Sequence, residues 1–211
     1  MNSGILTGVK IVGEPARKSD HRYTYGEYRT WPDDERWELI DGVAWNMSPA
    51  PAPRHQRVLI EIARRMADYL EGKKCRVYPA PFDVLLADDP REDEDEVATV
   101  VQPDISVVCD PSKITERACV GAPDLAVEIL SPSTTWKDVE IKRKLYERHG
   151  VREYWLVDPG NHVIHLYMLQ DNGRYSEEPA LYLLDGRPGQ ALLSSRVLDG
   201  FVLDLAGVFV E

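Results

Sequence analysis

Asp104, Glu128 and Lys142 are the residues whose types and spacing could do chemistry together. Glu128 sits in "PDLAVEILS", an apolar, β-branched run that reads as a buried strand, and Asp104 sits in the similar run "QPDISVV". If the two runs pair, cross-strand neighbours approach to about 5 Å. Asp124 shares a strand face with Glu128, but four residues of strand hold them roughly 13 Å apart, too far to share one small ion. Asp104 with Glu128 is therefore the pair. Two carboxylates that close repel each other unless a cation lies between them. Hard oxygen donors with room for water suit Mg²⁺, with Mn²⁺ as a substitute. The backbone carbonyl of Ile129 or Leu130 would add an oxygen. Without a metal, Asp104 is a polar residue opening a strand and Glu128 a salt-bridge partner.

Lys142 lies in "TTWKDVEIKRKLYERHG", which reads as a helix. At about 100° per residue, Ile141 and Leu145 fall on one side of its inward face and Val139 and Tyr146 on the other. Lys142 lies between them, with Asp138 and His149 nearby. An ammonium in an apolar stripe is costly unless it meets a carboxylate or an anion; snorkelling to the rim is its other course. Asp138 would steer Lys142, and Tyr146 reads as packing. Glu38 in "WELIDG" could accept a water's hydrogen bond or hold a second ion, or only brace a hairpin. His55 in "PRHQRV" could contact phosphate or transfer a proton, or only cap a helix. His162 and His165, three apart on an expected strand, face opposite ways and are poor metal partners.

The elements that must position these groups follow from pattern. "TYGEYRTWP" predicts a short helix capped at Thr24 and stopped before Pro32. "RWELIDGVAWNMSP" predicts strands over 36–40 and 43–47 about the Asp-Gly turn. "RHQRVLIEIARRMADYLEGK" places Val58, Ile62, Met66 and Tyr69 at helical spacing, with Gly72 as stop. "CRVYPAPFDVLL" is a strand interrupted by prolines, "VVQPDISVVC" and "PDLAVEILS" are strands, and "DPSKITERACVGA" connects them. The Lys142 helix has Thr134 or Thr135 as cap and Gly150 as terminator. "REYWLVDPGNHVIHLYML" is a strand, a turn and a return strand. Beyond residue 172, "RYSEEPALYLL", "SSRVL" and "FVLDLAGVFV" suggest short strands and a final helical turn. The order implies an α/β sandwich round a mixed sheet.

Several of these blocks, in this order, resemble the Uma2 family of the PD-(D/E)XK nuclease-like superfamily: "YTYGEY", "WELIDG", "SPAPAPRHQRV", "PDISVV", "PDLAVEILSPST", Asp138-x-x-x-Lys142-x-x-x-Tyr146, "YWLVDP" and, more weakly, "LDGFVLDL". The resemblance implies a restriction endonuclease-like core, a central mixed sheet flanked by helices with an N-terminal hairpin. It further implies metal held at Asp104 and Glu128, with Glu38 matching a family carboxylate, and DNA cleaved to leave a 5′ phosphate. The superfamily's lysine usually stands two residues after the second acid, where this chain has Leu130; in Uma2 proteins it looks to have moved to the next helix, which maps onto Lys142. The expected activity is Mg²⁺-dependent hydrolysis of DNA by Asp104, Glu128, Lys142, Glu38 and His55, with Asp104, Glu128 and the Ile129 carbonyl as ligands. The alternatives are a non-catalytic interaction module on a nuclease-like fold and a hydrolase of another phosphoester.

The totals bound these readings. The chain has 211 residues, 43% of them hydrophobic, which is enough for one domain over 23–211 behind a loose arm over 1–22. A net charge of -11 opposes nucleic-acid binding, although much of the acidity is packed into "ADDPREDEDE", which reads as a solvated loop. Arg54, Arg57, Arg64, Arg65 and Lys137 could meet a phosphate backbone. No apolar run of membrane-spanning length and no secretory leader is present, so a cytoplasmic protein is expected. Cys75, Cys109 and Cys119 are odd in number and lack C-x-x-C spacing, which predicts reduced, structural thiols. Exposed strand edges and "EYWLV" suggest a homodimer.

Overall fold

The computed structural model describes residues 20–32, 35–47, 52–131, 137–184 and 191–209. The cap positions Thr134 and Thr135 lie outside them, as do residues 1–19 of the expected arm.

Thr24 opens α1 (Tyr25–Tyr28), where the Glu27 carboxylate reaches back to the Thr24 N–H at 3.1 Å. β1 (Trp37–Ile40) and β2 (Val43–Asn46) form the expected hairpin, and Asp41 and Gly42 turn it with φ of 50° and 74°, the left-handed pair that Asp-Gly favours. α2 (Pro53–Leu70) buries Val58, Leu59, Ile62, Met66 and Leu70 along one face. Pro53 stands in its first turn, where a missing N–H costs nothing.

Two of the expected strands each divide in two. "CRVYPAPFDVLL" forms β3 (Arg76–Pro79) and β4 (Asp83–Leu85), and "VVQPDISVVC" forms β5 (Val100–Val101) and β6 (Ile105–Val108). Pro81 and Pro103, which cannot donate to a ladder, occupy the two breaks. The expected connection after β6 contributes β7 (Ala118–Val120), and β8 (Leu125–Ile129) follows. After α3 (Arg143–His149) come β9 (Glu153–Asp158), β10 (Val163–Met168), β11 (Ala180–Leu183), β12 (Leu192–Ser194) and β13 (Val202–Asp204).

The central mixed sheet runs β11-β10-β9-β8-β6-β3, parallel only between β8 and β9. Because the broken strands feed different ladders, a second sheet, β2-β1-β5-β4-β7, accompanies it, with β12–β13 as a separate pair. Leu125, Val127 and Ile129 of β8 enter a core with α2, Trp155 and Phe201. Ala126 enters another core with Leu145, Tyr146 and Tyr154, and strand parity puts Glu128 on that same α3 side.

The segment before α3 is π-helical over Lys137–Lys142, and Gly150 closes α3 with φ 83°. The buried Glu153 pins the C-terminal segment to β9: it accepts from Ser195 Oγ (3.0 Å) and the N–H groups of Arg196 (3.0 Å) and Val197 (2.9 Å), and from Trp155 Nε1 (2.6 Å). Two sequence expectations are corrected. Cys75 and Cys109 form a disulfide, since the antiparallel register of β3 and β6 sets Arg76 opposite Val108 and so brings the flanking cysteines together; Cys119 stays free and buried. His162 is not on a strand but in the turn before β10, with φ 54° and its Nε2 at 3.0 Å from Arg54. Among the described residues, no helix is long and apolar enough to cross a membrane.

Candidate active site

Pairing of Ile105 with Val127 sets the antiparallel register of β6 and β8, and one further step places Asp104 opposite Glu128. The two acids thus meet at one end of the central sheet. Glu38 arrives from β1 of the other sheet and Lys142 from the last π-helical residue. All the groups that meet there except Asp104 are buried: Glu38 is 0% exposed, Lys142 2% and Glu128 3%.

Lys142 Nζ is the hub. It donates to Glu128 Oε1 at 2.7 Å and pairs with Glu38 Oε1 at 2.8 Å, with Asp138 Oδ1 at 3.8 Å one turn back. Tyr146 OH donates to the same Glu128 oxygen at 2.6 Å. Tyr146, which the sequence suggests only packs, therefore also holds a carboxylate oxygen. Lys137, read from sequence as a contact to a nucleic-acid backbone, is instead 1% exposed and donates to Glu38 Oε2. Its inward turn has a geometric cause. Residues five apart on an α-helix are about 140° apart at 100° per residue, whereas i→i+5 bonding in a π-helix brings them close to alignment. Lys137 and Lys142 are five apart across that π-helical stretch, so both ammonium groups reach Glu38. Gln102, at the crossing between the sheets, adds its backbone N–H to Glu38 Oε1 at 2.9 Å.

Asp104 and His55 form a second group beside this hub. Asp104 Oδ2 accepts from the Ile129 N–H at 2.7 Å and faces His55 Nε2 at 3.2 Å. His55 stands in the first turn of α2 and is buried. Asp124 is elsewhere, receiving the Cys109 N–H (2.6 Å) and Arg152 (2.5 Å). Arg64 and Arg65 of α2 are engaged with Glu61, Asp68 and the Gly207 carbonyl.

Proton affinities follow from this packing. Burial alone would raise the Glu38 carboxyl, but the Lys137 and Lys142 charges outweigh it and hold it at about 2. Burial pushes the Glu128 carboxyl well up; Lys142 opposes this, while Asp138, Asp104 and Glu38 push the same way. Burial disfavours the Lys142 ammonium, yet Glu128, Glu38 and Asp138 raise its pKa well above the usual lysine range. His55 is also raised: burial opposes its charge, and the bond to Asp104 and that carboxylate's charge overcome the opposition.

Four carboxylates, Glu38, Asp104, Glu128 and Asp138, thus face two ammonium groups and one imidazole. No group of three or more His, Cys, Asp or Glu side chains among the described residues is arranged as a metal cage. The donors nonetheless fit a cation that keeps most of its waters. One oxygen of Asp104 and one of Glu128 are held by protein donors, and the second oxygen of each takes no hydrogen bond from a described residue. One or two carboxylates are what Mg²⁺ ordinarily takes from a protein.

Residues 25–206 match the Uma2 family, whose description reads "Putative restriction endonuclease". The chain belongs to the Uma2 family. An uncharacterized protein of Synechocystis, slr1290, is 27% identical over 150 residues, covering 70% of this chain and 74% of that protein. A crystal structure described as a putative nuclease belonging to DUF820, from Anabaena variabilis, superposes with a TM-score of 0.67 over 88% of this chain and 97% of its own, at 21% identity. The fold is therefore restriction endonuclease-like. In this Uma2 chain, Leu130 packs against the apolar core on the α3 side, and the ammonium beside Glu128 comes from Lys142.

Proposed function

We propose that this Uma2 protein is a divalent-metal-dependent endonuclease that hydrolyses DNA phosphodiester bonds and leaves a 5′ phosphate. The observation that carries the reading is the Lys142 ammonium hydrogen-bonded to Glu128, which stands opposite Asp104 across β6 and β8. Asp104, Glu128 and the Ile129 carbonyl would hold Mg²⁺ or Mn²⁺. When bound, the ion would supply Lewis acidity toward the scissile phosphate and lower the pKa of the attacking water. Lys142 supplies positive charge to a site where negative charge grows on phosphorus. Glu38 holds both lysines in place, and Tyr146 fixes one Glu128 oxygen. His55, whose Nε2 faces Asp104, would hold a proton there and meet a phosphate oxygen. A cytoplasmic homodimer, formed through exposed sheet edges, would bring two such sites to the two strands of a duplex.

A second reading, a non-catalytic interaction module on the same fold, draws on the enclosure of Lys142 by carboxylates and on the net charge of -11. Purified protein with Mg²⁺ or Mn²⁺ on plasmid, single-stranded DNA and RNA separates the two. The endonuclease reading expects DNA cleavage that Glu128→Ala and Lys142→Ala abolish. No cleavage and no metal binding by calorimetry would leave the module; cleavage of a small phosphoester alone would make the protein a hydrolase of that class. Cleavage that survives both substitutions would place the chemistry elsewhere.

A further inference from the structure

Gln102 joins two sites. Its backbone N–H donates to Glu38 in the buried cluster, at 2.9 Å, and its side chain helps line a cavity of about 360 Å³ beside α1. That volume falls within the roughly 300–1,000 Å³ of sites that hold small ligands. One wall is aromatic: the Trp31 ring lies edge-on to Tyr28 at 5.4 Å and to Trp37 at 6.0 Å, and Tyr28 stacks with Tyr25 at 6.1 Å. The floor is polar. Asp83 Oδ1 accepts from Gln102 Nε2 (2.9 Å) and from Tyr28 OH (3.2 Å), and Gln102 Oε1 accepts from Arg36 (2.9 Å). Asp83 Oδ2 takes no hydrogen bond from a described residue. At the rim, the exposed Arg117 guanidinium has no ion pair among the described residues, in a chain whose net charge is -11.

Aromatic walls, the open Asp83 oxygen and an arginine with no ion pair among the described residues match a base with its phosphate. A neutral sugar would use the walls and Asp83 but leave Arg117 without a role. We propose that this cavity takes one unpaired nucleotide of the substrate strand, with the base against Tyr28 and Trp31, a base N–H on Asp83 and the phosphate on Arg117. The assignment rests on the nucleic-acid reading above and adds where a base is held. Through Gln102 the occupant is one residue away from Glu38, so filling the cavity bears directly on the cluster that holds both lysines.

The test is binding with metal chelated by EDTA, so that affinity is read apart from cleavage. A 5′-phosphorylated single-stranded DNA octamer is compared by anisotropy with the same octamer carrying abasic sites. The base-bearing strand is expected to bind roughly tenfold tighter or more. Trp31→Ala should bring it down to the abasic level, and Arg117→Gln should weaken both strands. Equal affinity for the two strands overturns the proposal, as does a Trp31→Ala protein of native circular dichroism that keeps full affinity. If Trp31→Ala does not fold, unchanged affinity in Arg117→Gln overturns it instead. Cleavage by the wild type with base-independent binding removes the cavity and leaves the nuclease reading, whereas base-dependent binding without cleavage does the reverse.

Discussion

Replacing Lys142 by methionine removes the cation that touches both Glu38 and Glu128 while keeping a long side chain in its place. The Nζ contacts are 2.8 and 2.7 Å, and at an effective dielectric near 20 each is worth about 6 kcal/mol of attraction. Burying each ion costs several kcal/mol, so the pair itself nets far less than that sum. Removing one partner is different, because the carboxylates stay buried. Glu38 keeps Lys137 and the Gln102 N–H, but among the described residues Glu128 is left with Tyr146 alone and must take up a proton. The expected loss is therefore about 3 kcal/mol, the lower end of the range for breaking a buried pair. Urea unfolding at neutral pH measures it. Adding Glu128→Gln to Lys142→Met should recover a good part of the loss, since the unpaired acid is then gone. A Lys142→Met protein within about 0.5 kcal/mol of the parent would refute the reasoning, because that is the behaviour of a surface site.

Glu38 should govern acid stability. Its folded pKa of about 2 lies below the ordinary 4.5, so it contributes about 3 kcal/mol that is present above pH 4.5 and lost as pH falls toward 2. The slope of urea midpoint against pH in that window should flatten in Glu38→Gln. Tyr146→Phe removes a 2.6 Å hydrogen bond to Glu128 and should cost about 1.5–3 kcal/mol in thermal or urea unfolding, without loss of the fold. The Cys75–Cys109 bond spans 34 residues, for which loop closure corresponds to about 4 kcal/mol. A reducing agent should lower the urea midpoint accordingly, and Cys75→Ser should be insensitive to it.

Much of the candidate site was legible because its signals are local. Asp104 and Glu128 each stand in a β-branched run, and period-two alternation with the antiparallel pairing of those runs places them opposite each other. Lys142 stood out because an ammonium in an apolar stripe needs a carboxylate, and it has two. The Asp-Gly hairpin, α2 and the Gly150 stop were equally readable, since their turn and capping preferences act over a few residues.

What the sequence by itself determined is thus the strand runs that carry Asp104 and Glu128 and the place of Lys142 within an apolar helical stripe. Only tertiary structure decided that Pro81 and Pro103 split two apparent strands between separate sheets, and so carried Glu38 of β1 to Glu128 of β8. It also decided that a π-helical stretch turns Lys137 inward, and that the pairing of β3 with β6 joins Cys75 to Cys109. The physical reason is common to all three. Propensity and periodicity act between neighbours in the chain, whereas a strand's partner, a helix's exact pitch and a cysteine's mate are set by contacts tens of residues away.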